Sequence, residues 1–380
     1  MDFSRSDEQE LLIENLHALL SNVAPESYVK ECYRKHEYPE RVMKALRDSG
    51  FYLLGLPKEY GGTPVDTVTY FMAVEEFSRF LPPCGWPRAG SFNEMLVLGS
   101  EEQKRLCADL TKEGKIAFSF CISEPAAGSD NNAMAASATR RKGKVYINGQ
   151  KTFCTFGSEA PYMFVATRDP EADSRSNVTF WLFPKDLPGI TVKPIDKIGW
   201  HMVSSCDVFF DNVEIEDENM VGPEGAAFPQ LKKNFEMERL TNCAMALGMA
   251  RTAYEDAASY ASSRVQFGKP IGSYQLIQEK LAYMALMLRN MSDRLYYAAW
   301  LHDQGQDIQF ESALAKLYCV ESAFKIVDDA MQILGGVGWT EDCRVSRLWR
   351  DIRAYQFTDG TNQIMVHIAG RKIVKDHAPR

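Results

Sequence analysis

The sequence predicts an α+β protein in three parts: an all-α N-terminal domain over residues 1–117, an antiparallel β barrel or sandwich over 118–228, and a four-helix bundle over 229–380. Three observations predict this order. Helical apolar spacing dominates both ends of the chain, and short β-branched and aromatic runs occupy the middle. A length of 380 residues is also too great for one small core and favours several packed units.

The N-terminal region shows the start and stop signals of helices. Ser6 and Gln9 stand at the spacing of a capping box, within an apolar stripe that has helical spacing. Pro39 is expected at the first position of a second helix, and Gly50 falls just past its end. Both signals indicate helices and support an all-α first domain.

Five short runs in the middle of the chain are typical of strands. Each is rich in β-branched and aromatic residues and is bounded by Gly, Pro, Asn or Asp. The runs are "KVYINGQKTFCTF", "YMFVATR", "VTFWLFP", "GITVKPI" and "DVFFDNVEI". Within the first run, Asn148-Gly149 predicts a hairpin turn that leads into a strand carrying Phe153 and Thr155.

Long stripes with helical spacing return after the β region. Four helices are predicted, over residues 231–263, 275–304, 311–334 and 363–376. Short loops join them, which is the pattern of a helical bundle. A doubly wound nucleotide-binding fold would instead alternate strand and helix along the whole chain.

Charge and cysteine content exclude several function classes. The formal net charge of −8 argues against nucleic-acid binding, because phosphates attract excess Lys and Arg. The N-terminus lacks the apolar core of a signal peptide, and no run of about 18 apolar residues offers a membrane span. Nine scattered cysteines without C-x-x-C spacing predict neither a zinc site nor a disulfide framework. We therefore expect a soluble, cytoplasmic protein.

The common nucleotide-binding and hydrolase motifs are absent from the sequence. The chain has no G-x-G-x-x-G after a strand, no G-x-x-x-x-G-K-[ST] and no G-x-S-x-G. A cofactor would therefore need other contacts. The stretch "FCISEPAAGSD" offers two hydroxyls among small residues that admit a ligand, although it also fits a plain Pro-Gly loop.

Asp359 in "YQFTDGTNQI" has two interpretations. Asp-Gly is a strong turn signal, so the residue fits a simple turn. A carboxylate aimed at a substrate is the alternative, and the ten residues alone favour the turn.

Six motifs follow one another along nearly the whole chain: "ISEPAAGSD", "YINGQKTF", "RVQFGKPIGSYQLIQEKLA", "QILGGVGW", "RLWRD" and "DGTNQI". Through them the sequence resembles the acyl-CoA dehydrogenases, flavoenzymes of α–β–α architecture. It is most similar to their crotonobetainyl-CoA reductase branch, through "YPERVMKAL", "DKIGWHM" and "FEMERL". The resemblance implies an FAD-dependent oxidoreductase that removes the α-proton of an acyl-CoA and moves hydride between the β-carbon and flavin N5.

The resemblance assigns FAD contacts to the middle domain and to the last loop. These positions are Phe120, Ile122, Ser123, Gly128, Ser129, Phe153, Thr155, Thr361 and Gln363. Phe153 would lie against one face of the isoalloxazine, and Thr155 would supply a hydroxyl beside it. Without the resemblance, Phe153 is equally well a core aromatic on a strand.

Other FAD contacts in the family come from a neighbouring subunit. The matching positions are Arg264, Phe267, Gln275, Gln332, Gly335 and Gly336. A shared site implies a homo-oligomer, and we expect a tetramer built as a dimer of dimers. Gly335 and Gly336 also fit a helix C-cap, and both roles are compatible. The resemblance further implies an electron-transferring flavoprotein as partner.

For the thioester substrate, the resemblance implies contacts of Ser129, Glu236 and Arg239 with the coenzyme A arm. Trp86 falls where family members line the acyl pocket, and its ring could hold a quaternary ammonium group. Arg88 would oppose such a cation if it pointed inward. The branch suggests a short or polar acyl group, such as a crotonobetainyl or γ-butyrobetainyl group.

Two carboxylates are candidates for the base that removes the α-proton. Much of the family has a glutamate at the position of Asp359, and other members use one on the first bundle helix, which matches Glu238. Aspartate draws its carboxylate back by roughly 1.5 Å, so we place Glu238 ahead of Asp359. Glu238 also fits a surface neighbour of Arg239. The alternatives to a dehydrogenase are a catalytically silent acyl-CoA- or flavoprotein-binding subunit of the same fold and an acyl-CoA oxidase.

Overall fold

The structure, a computed structural model, describes residues 4–81, 92–171 and 177–378. Helices form the N-terminal part, an eight-stranded sheet forms the middle, and a second set of helices forms the C-terminal part. This order confirms the fold class predicted from the sequence. No helix among the described residues is long and apolar enough to cross a membrane.

The described N-terminal part contains α1 (Asp7–Val23), α2 (Glu26–Lys35), α3 (Glu40–Asp48), α4 (Thr67–Phe80), α5 (Asn93–Leu98) and α6 (Glu101–Lys112). The predicted capping box is confirmed: Ser6 Oγ accepts from the Gln9 amide at 3.2 Å, and the Gln9 side chain accepts from the Ser6 amide at 3.1 Å. Pro39 stands one residue before α3 rather than at its first position. Gly50 follows this helix with a φ of +83°, which glycine adopts at little cost.

The middle part is a single mixed sheet. Its strands are β1 (Phe118–Cys121), β2 (Ser137–Arg141), β3 (Lys144–Thr155), β4 (Tyr162–Arg168), β5 (Val178–Pro184), β6 (Ile190–Pro194), β7 (Ser205–Ile215) and β8 (Met220–Val221). They pair in the order β6-β7-β3-β2-β4-β5-β8, with β1 also on β4. Pairing is antiparallel, as predicted, except that β1 runs parallel to β4 and one parallel bridge joins β2 to β4. Three strands, β1, β2 and β8, add to the five predicted runs.

The predicted hairpin turn at Asn148-Gly149 is wrong, because both residues lie inside β3. The pairing register with β7 shifts at this point, where β3 has a bulge. A Cβ on Gly149 would come within 2.7 Å of the backbone of Ala136, the residue before β2, so this close approach requires glycine here. The turn between β2 and β3 instead uses Lys142 and Gly143, at φ of +51° and +76°.

The C-terminal part contains α7 (Ala227–Ser263), α8 (Gln275–Asp303), α9 (Gln309–Leu334), α10 (Arg344–Ile352) and α11 (Asn362–Asp376), with the short strands β9 (Val265–Gln266) and β10 (Lys269–Pro270) pairing between α7 and α8. The predicted bundle consists of α7, α8, α9 and α11, and α10 is additional. The N-terminal helix α4 packs closely on α7 at Gly248, where a Cβ would lie 2.2 Å from the Glu75 carbonyl oxygen. Close backbone contact therefore joins the two helical parts.

Asp351 on α10 connects all three parts of the chain. Its Oδ1 accepts hydrogen bonds from the Tyr33 hydroxyl on α2 at 2.9 Å and from the Trp200 amide, after β6, at 2.6 Å. The Trp200 indole also donates to the main-chain carbonyl of Asp351 at 2.9 Å. Because the carboxyl group is buried, its pKa rises to about 7, although these hydrogen bonds and Arg350 favour the charged form.

We expect Asp351→Asn to change the pH dependence of stability. The folded-state pKa of about 7 lies above the ordinary value of 3.8, so this carboxyl group contributes stability below about pH 4 that is lost as the pH rises through 7. Asparagine keeps an acceptor oxygen and cannot ionise. Thermal unfolding should therefore show the variant gaining melting temperature relative to the parent between about pH 4 and pH 7, and a constant difference would contradict the raised pKa.

Candidate active site

A cleft of about 2150 Å³ lies between the sheet and the C-terminal helices. The sheet side consists of the end of β1 with its following loop, the end of β3, and residues 195–200 after β6. The helical side consists of parts of α7, the start of α9, the turn region 353–361 and α11. This volume exceeds the ~300–1,000 Å³ of ordinary small-molecule sites, so the cleft can hold a large cofactor together with a substrate.

The loop after β1 is fixed by a buried ion pair. Lys151 on β3 is fully buried and donates to Glu124 at 2.8 Å and to the Ile122 carbonyl at 2.9 Å. Glu124 in turn accepts from the amides of Ala135 and Ala136 at 2.6 and 3.0 Å. Burial lowers the pKa of Lys151, and the Glu124 carboxylate opposes that shift. The loop therefore has a fixed backbone along the cleft wall.

Phe153 lines the cleft in a strained backbone conformation. Its φ is +55°, a region that bulky residues rarely adopt, and the register of β3 with β7 shifts between Lys151 and Cys154. Its side chain is 66% exposed, so the ring is not part of the core. An exposed aromatic ring on the wall of a cleft offers a face on which a planar ligand can stack.

Asp359 lies on the helical side of the cleft, in the turn before α11. Its φ is +48° and that of Gly360 is +92°, so the Asp-Gly pair does form a turn. The carboxylate accepts a hydrogen bond from the Asn242 side chain of α7 at 2.8 Å. The ammonium group of Lys316 on α9 donates to the carbonyls of Thr358 and Gly360. Asp359 therefore forms the turn and also lines the cleft.

Glu238 and Glu236 lie on α7, outside the described residues that line the cleft. Glu238 is half-buried and accepts a hydrogen bond from Asn93 on α5 at 3.4 Å. Burial and the charge of Asp307 raise the pKa of Glu236 to about 7. Of the two candidates for the base, Asp359 is the one that lines the cleft.

Arg239 and Thr358 bring buried polar atoms to the cleft. The Arg239 side chain is buried and its Nη1 lies 3.5 Å from the Ser312 hydroxyl, while its Nε has no hydrogen-bond partner within the described residues. The Thr358 hydroxyl is likewise buried without a partner in the same part of the chain. Because buried polar atoms are normally paired, both fit the polar groups of a ligand in the cleft.

The cleft brings together most of the cofactor positions predicted on the middle domain and the last loop: Phe120, Ile122, Ser123, Gly128, Ser129, Phe153, Thr155 and Thr361. Gln363 is exposed on α11 and lies outside the described residues that line it. The six positions predicted to serve a neighbouring subunit also lie outside it: Arg264, Phe267, Gln275, Gln332, Gly335 and Gly336. All six are exposed, and Phe267, between β9 and β10, is 94% exposed. Trp86 lies outside the described residues.

Glu94 on α5 is a buried carboxyl group that the sequence motifs do not mark. Its Oε1 accepts from the Asn234 side chain at 2.8 Å, and its Oε2 is buried without a partner among the residues described. Burial raises its pKa to about 7, and the charge of Asp359 contributes to the rise. Lys316 on α9 is a second buried charged residue that the motifs do not mark. For both residues, the sequence signal of burial is a charged residue inside an apolar run.

Family models match all three parts of the chain: the N-terminal domain of acyl-CoA dehydrogenase over residues 6–109, the middle domain over 119–213 and the C-terminal domain over 226–374. The chain belongs to the acyl-CoA dehydrogenase family, whose members are FAD-dependent oxidoreductases acting on CH–CH bonds. It is 47% identical over 384 residues to the probable acyl-CoA dehydrogenase YdiO of Escherichia coli (strain K12), with 99% of each chain covered.

Solved structures share the fold over all three parts. Butyryl-CoA dehydrogenase from Megasphaera elsdenii is 28% identical, with a TM-score of 0.91 over 98% of this chain and 100% of that chain. A chain in a structure of the electron transferring flavoprotein of Acidaminococcus fermentans is 29% identical, with a TM-score of 0.92 over 99% of this chain and 100% of that chain.

We expect Lys151→Met to destabilise the protein strongly, because it leaves the Glu124 carboxylate buried without its cation. Removing one partner of a buried ion pair costs about 3–5 kcal/mol. Lys144→Met is a matched control on the same strand, since it removes a surface pair with Glu216 that is worth about 0–1 kcal/mol. Denaturant unfolding measures both, and equal small losses would contradict a structural role for the buried pair.

Proposed function

We propose that the chain oxidises an acyl-CoA thioester at its α,β bond, or catalyses the reverse reduction, in the cleft between the sheet and α11. One observation carries this proposal: the same cleft holds Phe153, an aromatic ring outside the core, and Asp359, a carboxylate in a left-handed turn. Family membership supplies the reaction class. The direction depends on the electron partner, since a catalyst serves both directions.

The residues of the cleft fit FAD. Phe153 offers a face to the isoalloxazine, and the Thr155 hydroxyl and the loop from Ile122 to Ser129 offer hydrogen-bonding groups to its polar edge. When bound, FAD supplies the hydride chemistry. The residues of the chain have the remaining tasks of holding the thioester, polarising its carbonyl and accepting the α-proton.

Asp359 is the proposed base. A base must lie within hydrogen-bond reach of the proton that it removes, and Asp359 lines the cleft where a substrate would lie. Asn242 orients its carboxylate from α7. Glu238, which the sequence analysis places first, is the second candidate, because it lies outside the described residues that line the cleft.

Arg239 and Ser129 are proposed to contact the coenzyme A arm. Both line the cleft, and the unpartnered Nε of Arg239 supports a ligand contact. Glu236 is proposed near the same arm through its charge interaction with Arg239. A short or polar acyl group, including the crotonobetainyl group, is the proposed substrate class, supported by the motifs shared with that branch. Trp86 remains a proposed contact for a quaternary ammonium group.

The assembly is proposed to be a homotetramer in which exposed residues of one subunit complete the FAD site of another. The set is Arg264, Phe267, Gln275, Gln332, Gly335 and Gly336. The exposure of Phe267, at 94%, supports this role because a protruding apolar ring is expected at an interface. An electron-transferring flavoprotein is the proposed electron acceptor, supported by the similarity to a chain in a structure of such a protein. The cytoplasmic location stays a prediction.

Purified protein should be yellow, with one FAD per chain, and a suitable acyl-CoA should bleach the flavin absorbance in the absence of oxygen. An anaerobic titration with acyl-CoA thioesters of different length and polarity measures this. Bleaching by polar short-chain thioesters supports the proposed substrate class. Colourless protein that FAD does not reconstitute would contradict the proposal. A flavin that no thioester bleaches would indicate a silent binding subunit, and fast reoxidation by oxygen would indicate an oxidase.

We expect Asp359→Asn to lower the rate of flavin bleaching by about 10²–10⁴-fold, the usual contribution of a general base. The amide keeps an oxygen that can accept from Asn242, so the charge is lost with little change in shape. Glu238→Gln should stay within a few-fold of the parent, as should the control Asp109→Asn, which alters an exposed carboxylate paired with Lys112.

Stopped-flow absorbance at saturating substrate gives these rates. If Glu238→Gln loses the rate while Asp359→Asn keeps it, the two roles must be exchanged. Equal rates in all three variants would exclude both carboxylates as the base.

A further inference from the structure

Lys316 is a buried lysine that forms hydrogen bonds to main-chain carbonyls and none to a carboxylate among the described residues. Its side chain is fully buried on α9, and its hydrogen bonds within the described residues go to the main chain. Its ammonium group donates to two main-chain carbonyls, those of Thr358 and Gly360. Burial lowers its pKa to about 8, and the charge of Asp359 opposes this shift. Burying such a group is costly, so its place in the core requires an explanation.

The two acceptors of Lys316 flank a single residue, Asp359. One nitrogen therefore fixes the 358–359 peptide group, directly before Asp359, and the 360–361 peptide group, one residue further along the turn. Asp359 has a φ of +48°, which costs a non-glycine residue free energy and persists where the surroundings hold it. With its backbone held from α9 and its carboxylate held by Asn242 on α7, Asp359 has little freedom left.

We propose that Lys316 is a positioning residue that holds the Asp359 carboxylate at the reacting carbon of the substrate. This inference rests on the role of Asp359 as base. An aspartate has one methylene fewer than a glutamate with which to adjust its reach, so the backbone of the turn decides where its carboxylate lies. Misplacement of a catalytic group by about 1 Å costs on the order of a hundredfold in rate.

The rate test is a double-mutant cycle. Lys316→Met keeps the length and apolar volume of the side chain and removes the donors, and it should slow flavin bleaching by about a hundredfold. In the Asp359→Asn background the same change should alter the rate by less than about twofold, because Lys316 acts through Asp359. A further loss of about a hundredfold in that background would overturn the proposal.

A second measurement does not depend on activity. Hydrogen exchange of the amides at 357–361, in FAD-loaded protein, should accelerate by about tenfold or more in Lys316→Met, since two charge-assisted hydrogen bonds to the turn are lost. The control is Lys325→Met on the same helix, a lysine whose side chain is 57% exposed and paired with Asp329. The control should leave both the exchange and the bleaching rate within about twofold of the parent.

The two measurements separate the failure of this inference from the failure of the proposed function. If no acyl-CoA bleaches the flavin of the parent protein, the proposed function is refuted. Faster amide hydrogen exchange in Lys316→Met would still support the inference that Lys316 fixes the turn at Asp359. Unchanged exchange overturns the inference whatever the activity. If the Lys316→Met protein does not fold, both measurements are made on Lys316→Gln instead. The glutamine side chain is shorter, and its amide group cannot bind both carbonyls as the lysine ammonium group does.

Discussion

The contacts of Asp351 with Trp200 and Tyr33 join the sheet to both helical parts of the chain. Trp200 is the last residue of the segment 195–200, which forms one edge of the cleft. The width of the cleft therefore depends on the two hydrogen bonds between Trp200 and Asp351. A Cβ on Gly199 would lie 2.8 Å from the Asp351 carboxylate, so the contact also requires glycine at this position. Because the carboxyl group is buried, a displaced sheet would leave its hydrogen bonds unsatisfied in a medium of low dielectric.

Charged groups buried near the cleft weaken the fold but fix the site. Lys151, Lys316 and Glu94 lie in surroundings that oppose their charge, as the directions of their pKa shifts show. Replacement of a whole buried pair, such as Lys151 with Glu124, by apolar side chains of equal volume is often neutral or stabilising, whereas removal of one partner is costly. Each lysine instead binds a backbone carbonyl of a segment that lines the cleft. The buried charges that destabilise the fold therefore lie next to segments whose backbone must be fixed for a ligand.

The fold could be predicted from the sequence because its helices are long and regular, and the observed ends of α8 and α9 lie within two residues of the predicted ones. The error at Asn148-Gly149 has a physical cause: a turn and a close approach between strands both select glycine, and only the neighbouring strand distinguishes them. Sequence motifs indicated Phe153 and Asp359, but the exposure of Phe153 and the contacts of Asp359 could be known only from the structure. The apolar run around Lys316 marks a buried lysine, but its role could not be predicted, because its acceptors lie 42 and 44 residues away and are main-chain carbonyls without a sequence signature.

The two sides of the cleft are stabilised in a similar way. Phe153 follows the buried Lys151 by two residues at a φ of +55°, and Asp359 lies between two carbonyls bound by Lys316 at a φ of +48°. Such conformations cost on the order of 1–3 kcal/mol and persist only where several contacts hold them. An ammonium group suits this task, since its three donors can bind several acceptors from one point. Lys151 binds the Ile122 carbonyl on the sheet side of the cleft, and Lys316 binds the turn at Asp359 on the helical side. Asp351 joins the two sides, because it binds Trp200 in the segment that follows β6.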